Sequence, residues 1–596
     1  MSRPSQFTFR PLVVGLGLVA TVGRGAAAHD DADLLRNVAS LRTATVPNEQ
    51  EAPISQLKEE LATLWDKPNA LQPLAVEVVH VESKNGCKVE GVYINGYEGP
   101  DGQDRVFFYY ARPEKTAGKL PAYIELTGGS GPERSLWMAA VNQCAVLDVE
   151  WRGQGNRFRS KWAGLDFNSM KRLTSLRDNQ AFRLVTGIRR TIDFLEQRPE
   201  IDAAQIGCGG GSMGGYYTLL AAGVDERVKF GVDELGAGHL ADTDSQLGQF
   251  ELDPERKALW LRAFDPYSYA ARTKAKIFMN LSADDYFFWL GDAIIHYEAI
   301  PAEKRLRIWP NFNHNDGAFG KTKELPKGWI DYCVGRASSF PQIDAVRQQG
   351  AVYEAKASPR VSNAMLCWSP GENLDWPARY WAEVPARQNG DRWQAEVPAR
   401  YARLARYAFM TVRDAEGRTV SSLPTLAEGD DPQAAAGPLW KDDALWDTAA
   451  GIGAWRLAGP NVHSGSSQTT IALDGKEGIA VASADDPKHA FTLVNNSFVL
   501  AAGHASLHAG LVFEVDGNSE PGELKVTLVR AFGTVKHQRE FSATIPYGPK
   551  SAVFQIAWPE FKGPASAQCI PFESLRLDGL RPTGSAVSIR SIRFFD

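Results

Sequence analysis

A serine does chemistry only where the chain exposes it and a base stands beside it. The segment Gly210-Gly211-Ser212-Met213-Gly214 satisfies the G-x-S-x-G pattern, with the apolar run AQIGCGGG before it and the helix-like YYTLLAAG after it. That order, strand then tight turn then helix, holds a serine hydroxyl proud of a sheet edge. Small neighbours let strand and helix approach closely, and the helix N-terminus offers unpaired N–H groups and a positive dipole end to a developing oxyanion. Ser212 is therefore the candidate nucleophile. Its hydroxyl is inert at its own pKa and needs a general base oriented by a third group. His314 follows the apolar run RLRIWPN directly and late in the chain, where such a base belongs. His239 follows VKFGVDEL too early, and His296 lies within a helical segment. The orienting acid belongs after AKIFMNLS, where Asp284 and Asp285 are adjacent and position alone does not choose between them. Whichever is not the acid is expected to cap the following turn.

An oxyanion needs two donors. One is the backbone N–H of Met213, the residue after the nucleophile; the second belongs to the loop after an early strand. Thr127-Gly128-Gly129-Ser130-Gly131 ends the run PAYIEL, so Gly128 or Gly129 is the expected donor. The next strand ends in Glu150-Trp151-Arg152-Gly153-Gln154, which puts Arg152 or Gln154 near a substrate pocket. The alternative for Arg152 is an ion pair that holds the loop. No CxxC, HExxH or EF-hand loop occurs, so neither a metal site nor a cofactor is expected.

These groups need elements to position them. Short alternating strands open the pattern in VEVVHVES, VEGVYINGYEG and DRVFFYYARP. Apolar strands then alternate with helical stretches at 174–197, 213–222, 292–300 and 321–334. Such alternation predicts a mostly parallel, doubly wound α/β sheet covered on both faces. Short strands over 361–422 predict a small β-sandwich of fibronectin or immunoglobulin type, and the strand-rich end of the chain a jelly-roll-like sandwich. The expected organisation is a signal peptide over 1–28, a helical segment over 29–75, a catalytic domain over 76–345, the small sandwich over 346–425, a polar linker over 426–437 and the last sandwich over 438–596.

The chain has 596 residues, 44% hydrophobic and 23% charged, with a formal charge of -6. Without a concentrated basic face, nucleic acid is not an expected partner. Arg3 and Arg10, the apolar stretch from Pro11 to Val22 and Ala26-Ala27-Ala28 read as a cleavable export signal, too short to span a bilayer comfortably. A secreted or periplasmic location with no membrane span is expected. The six cysteines show no framework spacing, and Cys144 and Cys208 fall in buried strands as inert thiols.

WRGQG after a strand, followed by the serine motif, resembles the acetyl xylan esterase/cephalosporin C deacetylase group of α/β-hydrolases. SADDYFFWLGD and KRLRIWPNFNH are similar to the PhoPQ-activated pathogenicity-related hydrolases, with their G-D-x-F-F run and L-R-x-x-P-N-x-x-H. Matching Phe287-Phe288 to the double Phe implies Asp285 as the acid. A small β-sandwich also follows the hydrolase domain in the second group. The chain departs from that group where it has Met213 in place of a basic residue after the serine. Together the resemblances imply an exported carboxylic-ester hydrolase acting on acylated polysaccharide or a smaller acylated substrate through an acyl-enzyme. The last domain would be a glycan-binding module, with Trp440, Trp446, Trp455 and Trp558 as stacking or core residues. A serine peptidase is the alternative with the same chemistry. A catalytically inactive glycan- or surface-binding protein is the alternative of another class, and the complete Ser, acid, His order argues against it.

Overall fold

In the computed structural model, strands β4 (Leu120–Glu125) and β5 (Ala145–Glu150) are buried at every residue, as befits strands covered on both faces. The described residues are 51–427, except 67–71, 127, 129–130, 154–156, 166–172, 242–251, 284, 286, 311, 313, 315–324, 371–375, 377–380 and 398–405. Beyond 427 they comprise the strands given below and parts of 508–595. The signal-peptide expectation falls outside them.

Antiparallel strands β1 (Glu77–Lys84), β2 (Cys87–Gly99) and β3 (Gly102–Pro113) open a nine-stranded sheet. β3 pairs antiparallel with β5, and from β5 onward the sheet is parallel. β6 (Ile201–Gly211), β7 (Phe230–Glu234), β8 (Lys276–Ser282) and β9 (Lys304–Trp309) complete the order β1-β2-β3-β5-β4-β6-β7-β8-β9. The direction of winding reverses between the parallel strands β4 and β6: the connection after β4 runs toward β5, and the one after β6 toward β7. A crevice opens outside the carboxyl ends of strands at such a switch point. Gly128 follows β4 there and Ser212 follows β6.

Helix α1 (Ile54–Ala62) precedes the sheet, and α2 (Pro132–Asn142) and α3 (Gln180–Glu196) link the strands around β5. Then come α4 (Met213–Val224), α5 (Pro254–Phe264), α6 (Tyr267–Ala270), α7 (Leu290–Ala299) and α8 (Leu325–Cys333). The sequence reading has no helix at α2 or α5. Both are short and start with Pro at the first turn, and Asp253 caps α5 by accepting from Glu255 and Arg256 N–H. The stretch expected to be helical from 174 becomes helix only at Gln180, where the Asn179 side chain caps it. Among the described residues no helix is long and apolar enough to cross a membrane.

Two small sheets follow. Arg347–Gln349, Val352–Lys356, Arg392–Glu396 and Arg387–Asn389 form one; Ala382–Pro385, Val361–Pro370, Arg406–Asp414 and Thr419–Ser421 form the other, with Thr425–Ala427 also paired to Arg406–Asp414. Their buried faces are continuous with the α/β core. Phe278, Trp329 and Phe340 share one apolar cluster with Tyr353, Leu366, Trp393 and Met410, and the Ser421 hydroxyl accepts from Ile308 N–H of β9. The end of the chain is β-rich. One sheet there carries Thr470–Leu473, Ile479–Ala482, Ser588–Phe595, Gly510–Asp516 and Ala552–Ala557, with Ala444–Asp447 alongside. The other carries Trp455–Ala458, Phe491–Asn495, Ser574–Leu580, Gly522–Arg530 and Arg539–Tyr547. Leu511, Phe513, Val526, Leu577 and Trp558 lie in a separate core. Trp558 is therefore a packing residue.

One ion pair lies wholly inside the α/β part. Arg183 on α3 donates through Nε to Asp104 at 2.6 Å and through its terminal nitrogens to Asp104 and Ala163 O, with the two side chains 2% and 0% exposed. Removing one partner strands a buried charge. Asp104→Ala should cost about 3–5 kcal/mol, read as a shift of the urea midpoint. A loss below about 1 kcal/mol would show that water reaches this pair.

Candidate active site

β6 can end in a sharp turn because its glycines let its neighbours close in. A Cβ on Gly209 would stand 2.0 Å from the Tyr123 hydroxyl and 2.6 Å from Val232 O. At the turn itself a Cβ on Gly214 would stand 2.2 Å from Leu126 O. The end of β4 therefore lies flush against the turn. Leu126 N–H donates to Gly209 O at 2.8 Å, and its carbonyl accepts from Trp151 Nε1 at 3.1 Å.

Ser212 sits on that turn at φ 57° and ψ -120°, a conformation that costs a side-chain-bearing residue about 1–3 kcal/mol. Its N–H donates to Glu234 O at 2.7 Å, tying it to the end of β7, and its carbonyl accepts from Tyr216 N–H to start α4. Met213 is the first residue of α4, so its N–H has no partner within the helix. The positive dipole end of α4 stands at the same point.

His314 and Asp285 reach Ser212 from the loops after β9 and β8. The Ser212 hydroxyl lies 2.8 Å from His314 Nε2, and His314 Nδ1 lies 2.7 Å from Asp285 Oδ2. Asp285 Oδ1 accepts from Phe287 and Phe288 N–H at 2.8 and 2.9 Å. An ionised carboxylate only accepts, so Nδ1 carries the proton and Nε2 presents its lone pair to the Ser212 O–H. His314 and Asp285 are 2% and 1% exposed, and the Phe287 ring packs edge-on against the imidazole at 4.8 Å. This shielding keeps the hydrogen-bonded chain from competing with water. The arrangement can deprotonate a serine hydroxyl and hold the resulting imidazolium.

Gly128 follows β4 at φ 94°, with the Arg152 side chain against it: a Cβ there would stand 3.0 Å from Arg152 Nε. The Arg152 guanidinium lies over the Trp151 ring at 5.0 Å, and burial lowers its pKa despite the nearby Glu150. Among the described residues it makes no ion pair. Gly129, Gln154 and Asp284 lie outside the described residues. Cys144 and Cys208 are buried, and no group of His, Cys, Asp and Glu among the described residues could hold a metal.

Two features of this region are absent from the sequence reading. Asp233, inside β7, is fully buried beneath the turn and accepts from Gly236 N–H at 2.8 Å. Burial, reinforced by Glu234 and Asp285, pushes its carboxyl well above the usual carboxylate range. A Cβ on Gly215 would stand 2.0 Å from its Oδ1, so Asp233 locks the loop after β7 onto the start of α4. Its sequence signal is an acidic residue directly after the apolar stretch Phe230-Gly231-Val232. The second feature is a His239 and Asp292 pair at 3.0 Å beside the same loop.

Comparison with known proteins divides the chain at a telling place. Residues 50–234, including Ser212, match the family model described as acetyl xylan esterase (AXE1). Residues 244–362, including Asp285 and His314, match that of the PhoPQ-activated pathogenicity-related protein. Both resemblances read from the motifs therefore stand. YtaP of Bacillus subtilis (strain 168), itself described no further than as a hydrolase, is 24% identical over 194 residues, which are 30% of this chain and 62% of that protein. An acetyl xylan esterase from Paenibacillus sp. R4 is 22% identical, with 47% of this chain and 99% of that one covered at a TM-score of 0.39. Acetyl xylan esterase 1 from Thermoanaerobacterium sp. JW/SL YS485 is 20% identical, with 48% and 99% covered at a TM-score of 0.39.

The strain at Ser212 is measurable. Ser212→Gly and Ser212→Ala both lose the hydroxyl, but only Ala keeps a Cβ in the disfavoured conformation. The Gly variant should be the more stable of the two by about 1–2 kcal/mol in urea unfolding. Equal stabilities would mean that the turn relaxes once the hydroxyl is gone.

Proposed function

We propose that this chain is an exported serine esterase that removes acyl groups from polysaccharide through an acyl-enzyme. The observation that carries the reading is the Ser212, His314 and Asp285 hydrogen-bonded chain ending on a serine at positive φ. The family-model matches to acetyl xylan esterase and to a pathogenicity-related hydrolase support it.

In this mechanism Ser212 Oγ attacks the ester carbonyl carbon as its proton passes to His314 Nε2. Asp285 accepts from the imidazolium Nδ1–H and stabilises the positive charge. The carbonyl oxygen, now an oxyanion, faces Met213 N–H and the backbone after β4 at Gly128 or Gly129. Collapse breaks the bond to the sugar oxygen, which leaves as an alcohol with the proton from His314. Water then gives a proton to His314 and attacks the acyl carbon, and collapse releases the acid and restores the Ser212 hydroxyl. No electron acceptor or metal enters this sequence.

The small sheets after the α/β part are read as the fibronectin-like sandwich, and the β-rich end as a jelly-roll-like module that tethers the enzyme to glycan. That end has its own core, and among the described residues its strands pair with one another. Trp558 is buried with its Nε1 donating to His508 O, so it is not available to a sugar.

Wild-type protein should release p-nitrophenolate from p-nitrophenyl acetate and take a fluorophosphonate label. Ser212→Ala should abolish the label, and Asp285→Asn should lower kcat about ten-thousandfold, as expected when the imidazole loses its orienting carboxylate. A folded wild-type protein that neither labels nor turns over would overturn the proposal. Faster cleavage of peptide substrates than of esters would turn it toward a peptidase. Removing 438–596 should leave turnover of the small ester within about twofold, because that region contributes no atom to the hydrogen-bonded chain. A collapse of that turnover would make the β-rich end part of the catalytic fold.

A further inference from the structure

A second polar pair includes a residue of the loop that follows β7. The chain leaves β7 at Glu234, whose carbonyl holds Ser212 N–H, and reaches His239 five residues later. His239 can thus stand at most about 17 Å from that point. The loop between them is built rather than slack. Asp265 Oδ1 accepts from His239 and Tyr267 N–H at 2.9 Å each, and Oδ2 accepts from Leu240 N–H at 2.8 Å. Gly238 N–H donates to Nδ1 of the buried His296 at 2.7 Å, and burial lowers that histidine to about 3, which keeps it neutral and accepting. These bonds hold His239 at φ 67°, a conformation that a residue with a side chain keeps only when its surroundings over-determine it.

The side chains so fixed are partly open to solvent, His239 and Asp292 at 18% and 14%. His239 Nδ1 lies 3.0 Å from Asp292 Oδ1 on the first turn of α7, so Nδ1–H donates there and Nε2 is left as an acceptor, without a hydrogen bond among the described residues. The Tyr267 ring meets the imidazole at right angles with centroids 4.8 Å apart, yet remains 39% exposed. Ile295, one turn after Asp292 and so on its face of α7, is 40% exposed. An exposed aromatic ring, an apolar neighbour and a preorganised imidazole acceptor suit a ligand with apolar faces and hydroxylated edges. That is the chemistry of a pyranose ring.

We infer that Tyr267, His239 and Asp292 form a glycan subsite, in which a sugar ring stacks on Tyr267 and a hydroxyl donates to His239 Nε2. It deepens the esterase proposal and rests on that reading for its polysaccharide substrate. A glycan acylated at the position attacked by Ser212 would extend over the loop after β7 into this subsite.

The test is binding without turnover. Full-length Ser212→Ala protein should bind unsubstituted xylohexaose in titration calorimetry. Adding Tyr267→Ala should weaken binding about tenfold, whereas Tyr267→Phe, which keeps the ring, should stay within about twofold. His239→Ala should weaken binding about fivefold, and His239→Gln should recover part of it by restoring an acceptor. Circular dichroism melts verify that each variant is folded, and Tyr267→Leu replaces Tyr267→Ala if the latter is not. The inference is overturned if the parent does not bind xylohexaose, or if folded variants at Tyr267 and His239 bind it as the parent does. Turnover of p-nitrophenyl acetate by the wild-type chain reads the esterase proposal separately. Turnover without Tyr267-dependent binding defeats the subsite alone, and Tyr267-dependent binding without turnover or labelling defeats the esterase reading alone.

Discussion

The tight approach of the turn at Ser212 to the end of β4 governs this part of the molecule. The carbonyl of Leu126 occupies the space that a side chain on Gly214 would need, and Trp151 and Gly209 hold Leu126 from two further directions. Close-packed interiors do not deform continuously, so a turn pressed against backbone has little room to relax. The positive φ of Ser212 follows from that confinement. The same contact sets the chain leaving β4, at Leu126, beside the start of α4. One steric constraint thus fixes both the hydroxyl and the loop that would face an oxyanion.

The remaining groups are arranged by polar bonds rather than by contact. Asp285 spends one oxygen on two backbone N–H groups of its own loop, which leaves the other aimed at His314. Asp233 is used differently: its carboxyl, whose pKa burial raises, is a strut between the loop after β7 and α4. Two acids in neighbouring strand ends are thereby put to different uses by their surroundings. Asp265 works in a third way, gathering three N–H groups so that a loop with a strained residue keeps one shape.

The β-rich parts divide by how they are packed. The sheets between 347 and 427 complete a core begun by β8 and α8, through Phe278, Trp329 and Phe340. Their loss would uncover apolar surface of the α/β part, at roughly 25 cal/mol for each Å² exposed. The end of the chain buries its own residues around Trp558 and Phe594.

Much of the site was legible because its chemistry is local. A strand, a glycine turn and a helix are written in consecutive residues, so Ser212 could be found without knowing its neighbours, and Met213 could be named as the candidate donor after it. His314 could be named from its place after a strand, because a parallel sheet brings strand ends to one edge. The choice of Asp285 over Asp284 was not local; it came from a family resemblance, and the structure joins Asp285 to His314. That union spans 29 residues of chain, and the bond from His314 to Ser212 spans 102. The pair of Asp233 with the loop after β7, and of His239 with Asp292, left little trace in the sequence. Their meaning depends on which strands are neighbours and what is buried between them. The sequence by itself therefore determined which residues could react. Only the tertiary structure decided which of them meet, because hydrogen-bond distance is a property of sheet order and packing rather than of spacing along the chain.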